Sequence, residues 1–216
     1  MPSFTCRVCG DDFTLPDQFL DRYPGWTPRL CPKHRDAAKS GGTAKGSAVP
    51  KRRARSGPLL TPLEVLAKYH DGPSDGVFTD GSAVPNPGPG GWGAVYVAQG
   101  KVVDESHGHE SETTNNRMEL AAIIEGAGLV PSGTPAIVHS DSRLVVQTVT
   151  EWAPGWEKRG WKRKTGPVEN LDLVKVAYRL YRSRPELSLK WVRGHAGIRW
   201  NEYADALANT WRREPL

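Results

Sequence analysis

Several acidic residues and a histidine are of the types that could do chemistry if the fold brought them together. They are Asp80, Glu119, Asp141, Asp205 and His195. Carboxylate oxygens are the ligands that hard divalent cations such as Mg²⁺ prefer, and a loop histidine can carry a proton near neutral pH. Asp80 alone is weak evidence, because Asp-Gly is also an ordinary turn sequence. An acid such as Glu119 near the start of a helix is commonplace too. A site therefore requires elements that bring these side chains together.

Two of the acids each follow a short β-type segment. The run Val77–Thr79 leads into Asp80, and the run Ala136–Ser140 leads into Asp141. The carboxyl ends of strands form the edge at which α/β sheets build their sites. We therefore expect Asp80 to end the central strand beside Asp141.

Further strands and helices are predicted around this pair. Turn-forming residues separate two more strands, at 92–98 and 102–109, which should form an antiparallel meander with the first, and 187–192 supplies a fifth strand. Thr114 is an N-cap candidate for a helix with Glu119 in its first turn. Another helix is expected at about 142–150. A final helix has an apolar stripe from Trp200 to Trp211, with Asp205 on its polar flank.

Composition restricts the class of protein. Hydrophobic residues at 38% and charged residues at 25% are ordinary globular values, so a packed core is expected. The net charge of +5 suits a polyanionic partner. No apolar run reaches the roughly 18 residues of a membrane-spanning helix, and the N-terminus lacks the layout of a secretory signal. We expect a soluble, cytoplasmic protein.

The first 35 residues carry a second possible metal site. Cys6 and Cys9 form one pair, and Cys31 and His34 form another with the same two-residue gap. This Cys₃His pattern is typical of a structural, tetrahedral zinc site with no open position for catalysis. It resembles small zinc-ribbon modules. The alternative is a set of reduced, unliganded thiols beside a chance histidine.

The composition of residues 36–60 predicts a basic, flexible linker. It could lie along a phosphate backbone or serve only as a solvated tether. Residues 61–72 predict a short connecting helix with a capping box, in which Thr61 is the N-cap and Glu64 lies three residues on. The side chains expected to dock it are Leu63, Leu66, Ala67 and His70. The remaining residues, 73–216, form the main domain.

The motifs of this domain resemble the five signature regions of type 1 ribonuclease H. They are T-D-G-S at 79–82, T-T-N-N-R-M-E-L at 113–120, S-D-S at 140–142, G-H-A-G at 194–197 and A-D-A-L-A at 204–208. They occur over residues 75–213 in the order of that family. The resemblance implies an α/β fold, with a five-stranded mixed sheet flanked by helices and its first three strands antiparallel.

The resemblance also implies an activity, namely hydrolysis of the RNA strand of RNA–DNA hybrids. It implies catalytic carboxylates at Asp80, Glu119, Asp141 and Asp205, with His195 handling protons. Four acids in one pocket would repel one another without cations, and oxygen ligands favour Mg²⁺, with Mn²⁺ as an alternative. Two such ions can activate a water and stabilise the leaving oxygen. The implied products carry 5′-phosphate and 3′-hydroxyl ends.

Substrate contacts are predicted as well. Trp152, Trp156 and Trp161 alternate with cations such as Lys162, a mixture suited to nucleic acid and similar to the basic handle of many family members; an exposed surface loop is the alternative. By resemblance the RNA strand would be lined by Gly81, Asn86, Asn115 and Asn116. The DNA strand would meet Thr114, Asn170, Trp152 and Trp156.

The match has two departures. Many relatives carry Arg where this chain has Glu112, and Leu144 replaces an aromatic residue of some relatives. Both affect the predicted contacts to the DNA strand. A non-catalytic nucleic-acid-binding protein of the same fold is the alternative function. A monomer without a small-molecule cofactor is assumed.

Overall fold

The structure is a computed structural model that describes residues 3–6, 11–14, 59–163, 165–194 and 196–213. The strands are β1 Ser3–Thr5, β2 Asp12–Thr14, β3 Gly76–Ala83, β4 Gly88–Ala98, β5 Lys101–Thr113, β6 Ala136–Ser140, β7 Lys162–Arg163, β8 Gly166–Pro167 and β9 Leu187–Trp191. The α-helices are α1 Pro62–Lys68, α2 Asn115–Leu129, α3 Arg143–Gln147, α4 Ala153–Lys158, α5 Leu171–Ser183 and α6 Arg199–Ala208. A π-helix, Thr148–Trp152, joins α3 to α4, and a 3₁₀ helix, Thr210–Arg212, follows α6.

A five-stranded mixed sheet forms the centre of the main domain. Its strand order is β5-β4-β3-β6-β9. The pairs β3–β4 and β4–β5 are antiparallel, whereas β3–β6 and β6–β9 are parallel. The predicted α/β fold with an initial antiparallel meander is confirmed.

Helices cover both faces of the sheet, and the central strand β3 has apolar side chains on both of them. On one face, Phe78 and Val95 pack with Trp200 and Leu207 of α6. On the other face, Val77 packs with Ala127 of α2, and a further cluster joins α2 to the π-helix region and α5. The central strand β3 is therefore buried between two layers.

Several strand boundaries differ from those expected. Asp80 does not end its strand, because antiparallel pairing with β4 continues to Ala83 opposite Gly90. The glycine-rich stretch expected to be a turn starts β4 at Gly88, and β5 extends to Thr113. Small residues let this pairing continue under the helices, so the predicted turn is partly strand.

The helix boundaries also differ in two places. Glu119 is in the second turn of α2, not the first, because the helix begins at Asn115 behind the N-cap Thr114. The helix expected at 142–150 continues through the π-helix and α4 to Lys158. The first part of the predicted handle is therefore helical.

The capping box of α1 is confirmed, but three of the four predicted docking residues are wrong. Leu63 is 78% exposed, and Ala67 and His70 are exposed as well, whereas Val65 is buried. Leu66 is half-buried, as expected for a docking residue. The helix has only seven residues, so its own pattern does not fix which side meets α6.

The N-terminal residues that the structure describes form a small two-stranded sheet. β1 pairs with β2 in antiparallel fashion, and the Cys6 N–H donates to the Asp11 carbonyl at 2.8 Å. The Cys6 side chain is buried. The other predicted zinc ligands, Cys9, Cys31 and His34, and the linker up to residue 58 lie outside the described residues. In the described part of the chain, no helix has the length and apolar character needed to cross a membrane.

Candidate active site

Three of the predicted acids meet at the centre of the sheet. Among the described residues, Asp80, Glu119 and Asp141 each offer a carboxylate oxygen, and these atoms lie within 4.8 Å of one another. Asp80 and Glu119 are buried, and Asp141 is half-buried. A set of oxygen ligands this close fits a hard divalent cation.

Strand register explains why Asp80 meets Asp141. The last paired residues of the parallel strands β3 and β6 are Thr79 and Ser140, so each acid is the next residue along the chain, Asp80 within β3 and Asp141 directly after β6. The Asp80 side chain accepts a hydrogen bond from the Gly81 N–H at 2.8 Å. The two strands thus present neighbouring carboxylates, although β3 itself continues.

Close contact between β3 and α2 brings Glu119 to the same place. A Cβ added to Gly81 would lie under 3.0 Å from the backbone of Met118 and Glu119. Real Cβ atoms do not approach backbone atoms so closely. Glycine at position 81 is therefore what allows the helix backbone, and with it Glu119, to approach Asp80.

The segment after β9 packs against the turn that carries Asp141. The Trp191 indole N–H donates to the Asp141 carbonyl at 3.1 Å, and the Val192 N–H donates to the Ser140 carbonyl at 3.0 Å. A Cβ at Gly194 would overlap the Asp141 carboxylate. The first glycine of the G-H-A-G motif, Gly194, thus leaves the space that the Asp141 carboxylate occupies. Sequence reasoning missed this contact and that of Trp191.

The fourth acid stands apart from the group of three. Asp205 is buried on α6 and is not among the acids within 4.8 Å of one another. Its Oδ1 accepts from the Asn209 amide at 3.3 Å. Asp205 was predicted on the polar flank of this helix, and that flank is buried as well, since every residue of α6 from Trp200 to Ala208 is buried. His195 lies outside the described residues.

The asparagines predicted to line the RNA strand are linked to one another. The Asn115 side-chain oxygen accepts from the Ala83 N–H at 2.6 Å, and the Asn86 oxygen accepts from the Asn115 N–H at 3.2 Å. Asn116 is the second residue of α2 and is half-buried. The end of β3, the following turn and the start of α2 are thus tied together beside the acids.

Arg117, which sequence reasoning did not select, joins the residues predicted to meet the DNA strand. Its guanidinium holds Asp172 with two bonds, at 3.2 and 2.8 Å, and donates to the Asn170 Oδ1 at 3.3 Å. The Thr114 hydroxyl accepts from the Arg117 N–H at 3.4 Å. Since guanidinium has only donors, the Asn170 oxygen must face it, and the amide NH₂ is directed elsewhere. Arg117 lies within the T-T-N-N-R-M-E-L motif, which was the available signal.

The predicted handle is more firmly packed than expected. Trp156 and Trp161 pack partly against the core cluster of α2 and α5, and Trp161 meets the Tyr178 ring edge-on at 5.8 Å. Trp152 is 37% exposed, and its ring lies 6.0 Å from that of Trp156. Lys162 is exposed. Two of the three indoles therefore anchor the handle, and Trp152 is the most accessible.

The histidine that precedes Ser140 on β6 is buried beside the site, and its surroundings favour the neutral form. His139, on β6, is buried and stacks on Phe78 with ring centroids 4.7 Å apart. Burial lowers the pKa of His139, and nearby Lys190 lowers it further. The imidazole is thus held neutral at physiological pH, as expected for a core residue.

The fold and the carboxylate site together are those of a ribonuclease H-like protein. A family model described as RNase H matches residues 74–212. Ribonuclease H of Methylorubrum extorquens is 49% identical over 140 residues, which are 65% of this chain and 60% of that relative. Ribonuclease H of Hahella chejuensis is 44% identical over 141 residues, covering 65% of this chain and 94% of the relative.

A solved structure agrees with these sequence relatives. LC9-RNase H1, described as a type 1 RNase H with the type 2 active-site motif, superposes with a TM-score of 0.51 at 34% identity, covering 66% of this chain and 74% of that chain. The present chain belongs to the RNase H family. Its main domain is a type 1 ribonuclease H domain, and the enzyme class is that of a hydrolase acting on nucleic acid.

Proposed function

We propose that the protein is an endoribonuclease that hydrolyses the RNA strand of RNA–DNA hybrids with divalent cations, leaving 5′-phosphate and 3′-hydroxyl ends. The observation that carries this proposal is the convergence of Asp80, Glu119 and Asp141 within 4.8 Å in a chain of the RNase H family. A binding protein would gain nothing from three buried or half-buried acids that repel one another.

The acids are suited to hold Mg²⁺, or Mn²⁺ in its place. All the donors are carboxylate oxygens, which select hard cations over Zn²⁺ or Cu²⁺. Held in pairs by these acids, such cations would supply polarisation of a phosphodiester and activation of a water. Asp80, Glu119 and Asp141 would hold the cations, and the groups around them would orient the scissile phosphate. In this proposal Asp205 supports the site from α6, and His195 shuttles the proton.

The neighbouring residues support recognition of a hybrid. The tied asparagines Asn86 and Asn115, with Asn116 and Gly81, lie near the acids and offer amide groups suited to ribose hydroxyls. Arg117 orients Asn170 so that its NH₂ can donate to a phosphate of the DNA strand, beside Thr114. The half-exposed Trp152, with Trp156, Trp161 and Lys162, would meet the DNA backbone further along. The exposed Glu112 weakens the anion affinity of this region.

The proposal is tested by comparing end-labelled substrates of one sequence. We expect the RNA strand of a hybrid to be cut with Mg²⁺ and left intact with EDTA, whereas double-stranded RNA and double-stranded DNA of that sequence are left uncut. The product ends are checked with an exonuclease that requires a 5′-phosphate. Cleavage in EDTA, or equal cleavage of double-stranded RNA, would contradict the proposal. Tight hybrid binding without cleavage would instead favour the binding protein.

For the N-terminal part we propose a zinc module with the ligands Cys6, Cys9, Cys31 and His34, followed by a basic tether, both adding affinity for the hybrid. The support is the spacing of the four ligands and the cations of the linker. Removal of residues 1–58, which spares the packed Leu60, should abolish bound zinc in elemental analysis. It should also weaken hybrid binding and reduce its salt dependence. Unchanged affinity and salt slope would rule out the tether.

A further inference from the structure

The segment 59–72 lies ahead of the residues that the RNase H family model matches, 74–212. Its helix α1 begins with a complete capping box. The Thr61 hydroxyl accepts from the Glu64 N–H at 3.2 Å, and the Glu64 carboxylate accepts from the Thr61 N–H at 2.7 Å. Hydrogen bonds from the Thr61 N–H and from the Thr61 hydroxyl to the Glu64 carboxylate lower the pKa of that carboxyl. The segment is therefore a defined structural element of the described chain.

This segment is packed onto α6. Val65 is only 1% exposed and shares a core cluster with Trp200 and Tyr203. On the other side of the contact, the Arg213 guanidinium donates to the Leu60 carbonyl and to the Ala206 carbonyl, each at 2.8 Å. The segment thus packs its apolar side chains against α6, and Arg213 links the segment to α6 by hydrogen bonds.

The same segment supplies the cap at the start of α6. The first N–H groups of any helix need partners from outside the helix, and the N-cap residue here, Ile198, has no side chain able to accept. The Asp71 carbonyl accepts from the Arg199 N–H at 2.8 Å instead. Gly72 lies alongside, where a Cβ would be 3.1 Å from Ile198. The place where α6 begins is therefore set by the segment.

The start of α6 is also the end of the loop that joins β9 to α6, whose described residues are 192–194 and 196–198. At its other end this loop packs on the active site, because Gly194 contacts Asp141 and Val192 bonds to Ser140. Near the α6 end, Gly197 has a positive φ of 75° and faces the Tyr69 ring. His195 lies between these two anchors in the sequence.

We propose that residues 59–72 are a positioning element of the active site, which holds the described residues of this loop, 192–194 and 196–198, in place by capping α6. The element belongs to the catalytic domain although it lies outside the stretch matched by the family model. Its effect on catalysis rests on the proposed function, whereas its effect on the loop does not.

The test uses the full chain with Val65→Ala, which removes packing from the buried side of α1. Leu63→Ala is the matched control, because Leu63 is 78% exposed on the same helix. We expect Val65→Ala to lower Tm by about 5 °C and to raise amide hydrogen exchange at Arg199 on the order of tenfold. We expect kcat on the hybrid to fall roughly threefold to tenfold with KM unchanged. The control should change none of these.

Each other outcome is decisive. A lower Tm with unchanged exchange at Arg199 would show that the segment only adds stability, and faster exchange with unchanged kcat would show a cap without a positioning role. Both overturn the proposal. If Val65→Ala does not fold, Tyr69→Ala is read by the same measurements. If the wild type fails to cleave the hybrid, the proposed function fails, and the exchange at Arg199 alone decides whether the segment holds the loop.

Discussion

Replacing Asp80 with asparagine is expected to lower kcat for hybrid cleavage about 10³-fold while leaving the protein folded. The change keeps the shape of the side chain and an oxygen that can accept from the Gly81 N–H. It removes one negative charge from the group of three carboxylates. Loss of cation binding costs several kcal/mol of transition-state stabilisation, which corresponds to a factor of this size. Single-turnover kinetics with saturating enzyme would measure it.

Stability provides the control for this substitution. Like charges within one site repel one another, so without divalent cations the free energy of unfolding of Asp80→Asn should equal or exceed that of the wild type. Mg²⁺ should raise the Tm of the wild type more than that of the variant, because the cation binds the folded state. Near-normal kcat in the variant would mean that Asp80 is not a ligand in the reaction.

Replacing the next residue, Gly81, with alanine should have the opposite profile, with a loss of stability as the primary effect. The added Cβ would lie under 3.0 Å from backbone atoms of Met118 and Glu119, and a backbone cannot rotate away as a side chain can. The helix α2 must move off β3. Overpacking of this kind costs roughly 3 kcal/mol. Urea denaturation of the full chain would measure the change.

A matched substitution separates this clash from the general effect of adding a methyl group. At Gly155, in α4, a Cβ would meet only the flexible end of the Arg159 side chain, at 3.3 Å. Gly155→Ala should therefore leave the free energy of unfolding unchanged or slightly higher. A Gly81→Ala variant as stable as the wild type would show that β3 and α2 are not in such close contact in solution.

Much of the sheet and three acids of the candidate site were predictable from sequence. The motifs place an acid after each of two apolar β-type runs, and the parallel pairing of those runs sets Asp80 and Asp141 side by side, although β3 continues beyond Asp80. The burial of the fourth acid, Asp205, could not be predicted. The sequence of α6 shows one apolar stripe, but in the fold the polar flank that carries Asp205 is buried too. In the same way, Leu63 looked like a docking residue, yet Val65 docks, since the position of α6 decides which face of a two-turn helix is covered.

Contacts between distant segments were the hardest to foresee. Neither Gly194 against Asp141 nor Arg117 between Asn170 and Asp172 follows from local pattern, because each depends on how two loops or two helices meet. The indoles of Trp156 and Trp161 were expected on the surface, because charged neighbours surround them in the sequence. In the fold, α5 passes beneath them and offers an apolar surface.

The pairing of β3 has a consequence for how the enzyme acquires activity as it folds. One edge of β3 pairs with β4 from Gly76 to Ala83, but the other pairs with β6 only from Val77 to Thr79. This parallel pair joins segments far apart in the chain, and such contacts form slowly. A slip of one residue would turn Asp141 to the other face of the sheet. The cleavage activity recovered during refolding would therefore report only the fraction of molecules in which the three residue pairs of β3 and β6 are in their correct register.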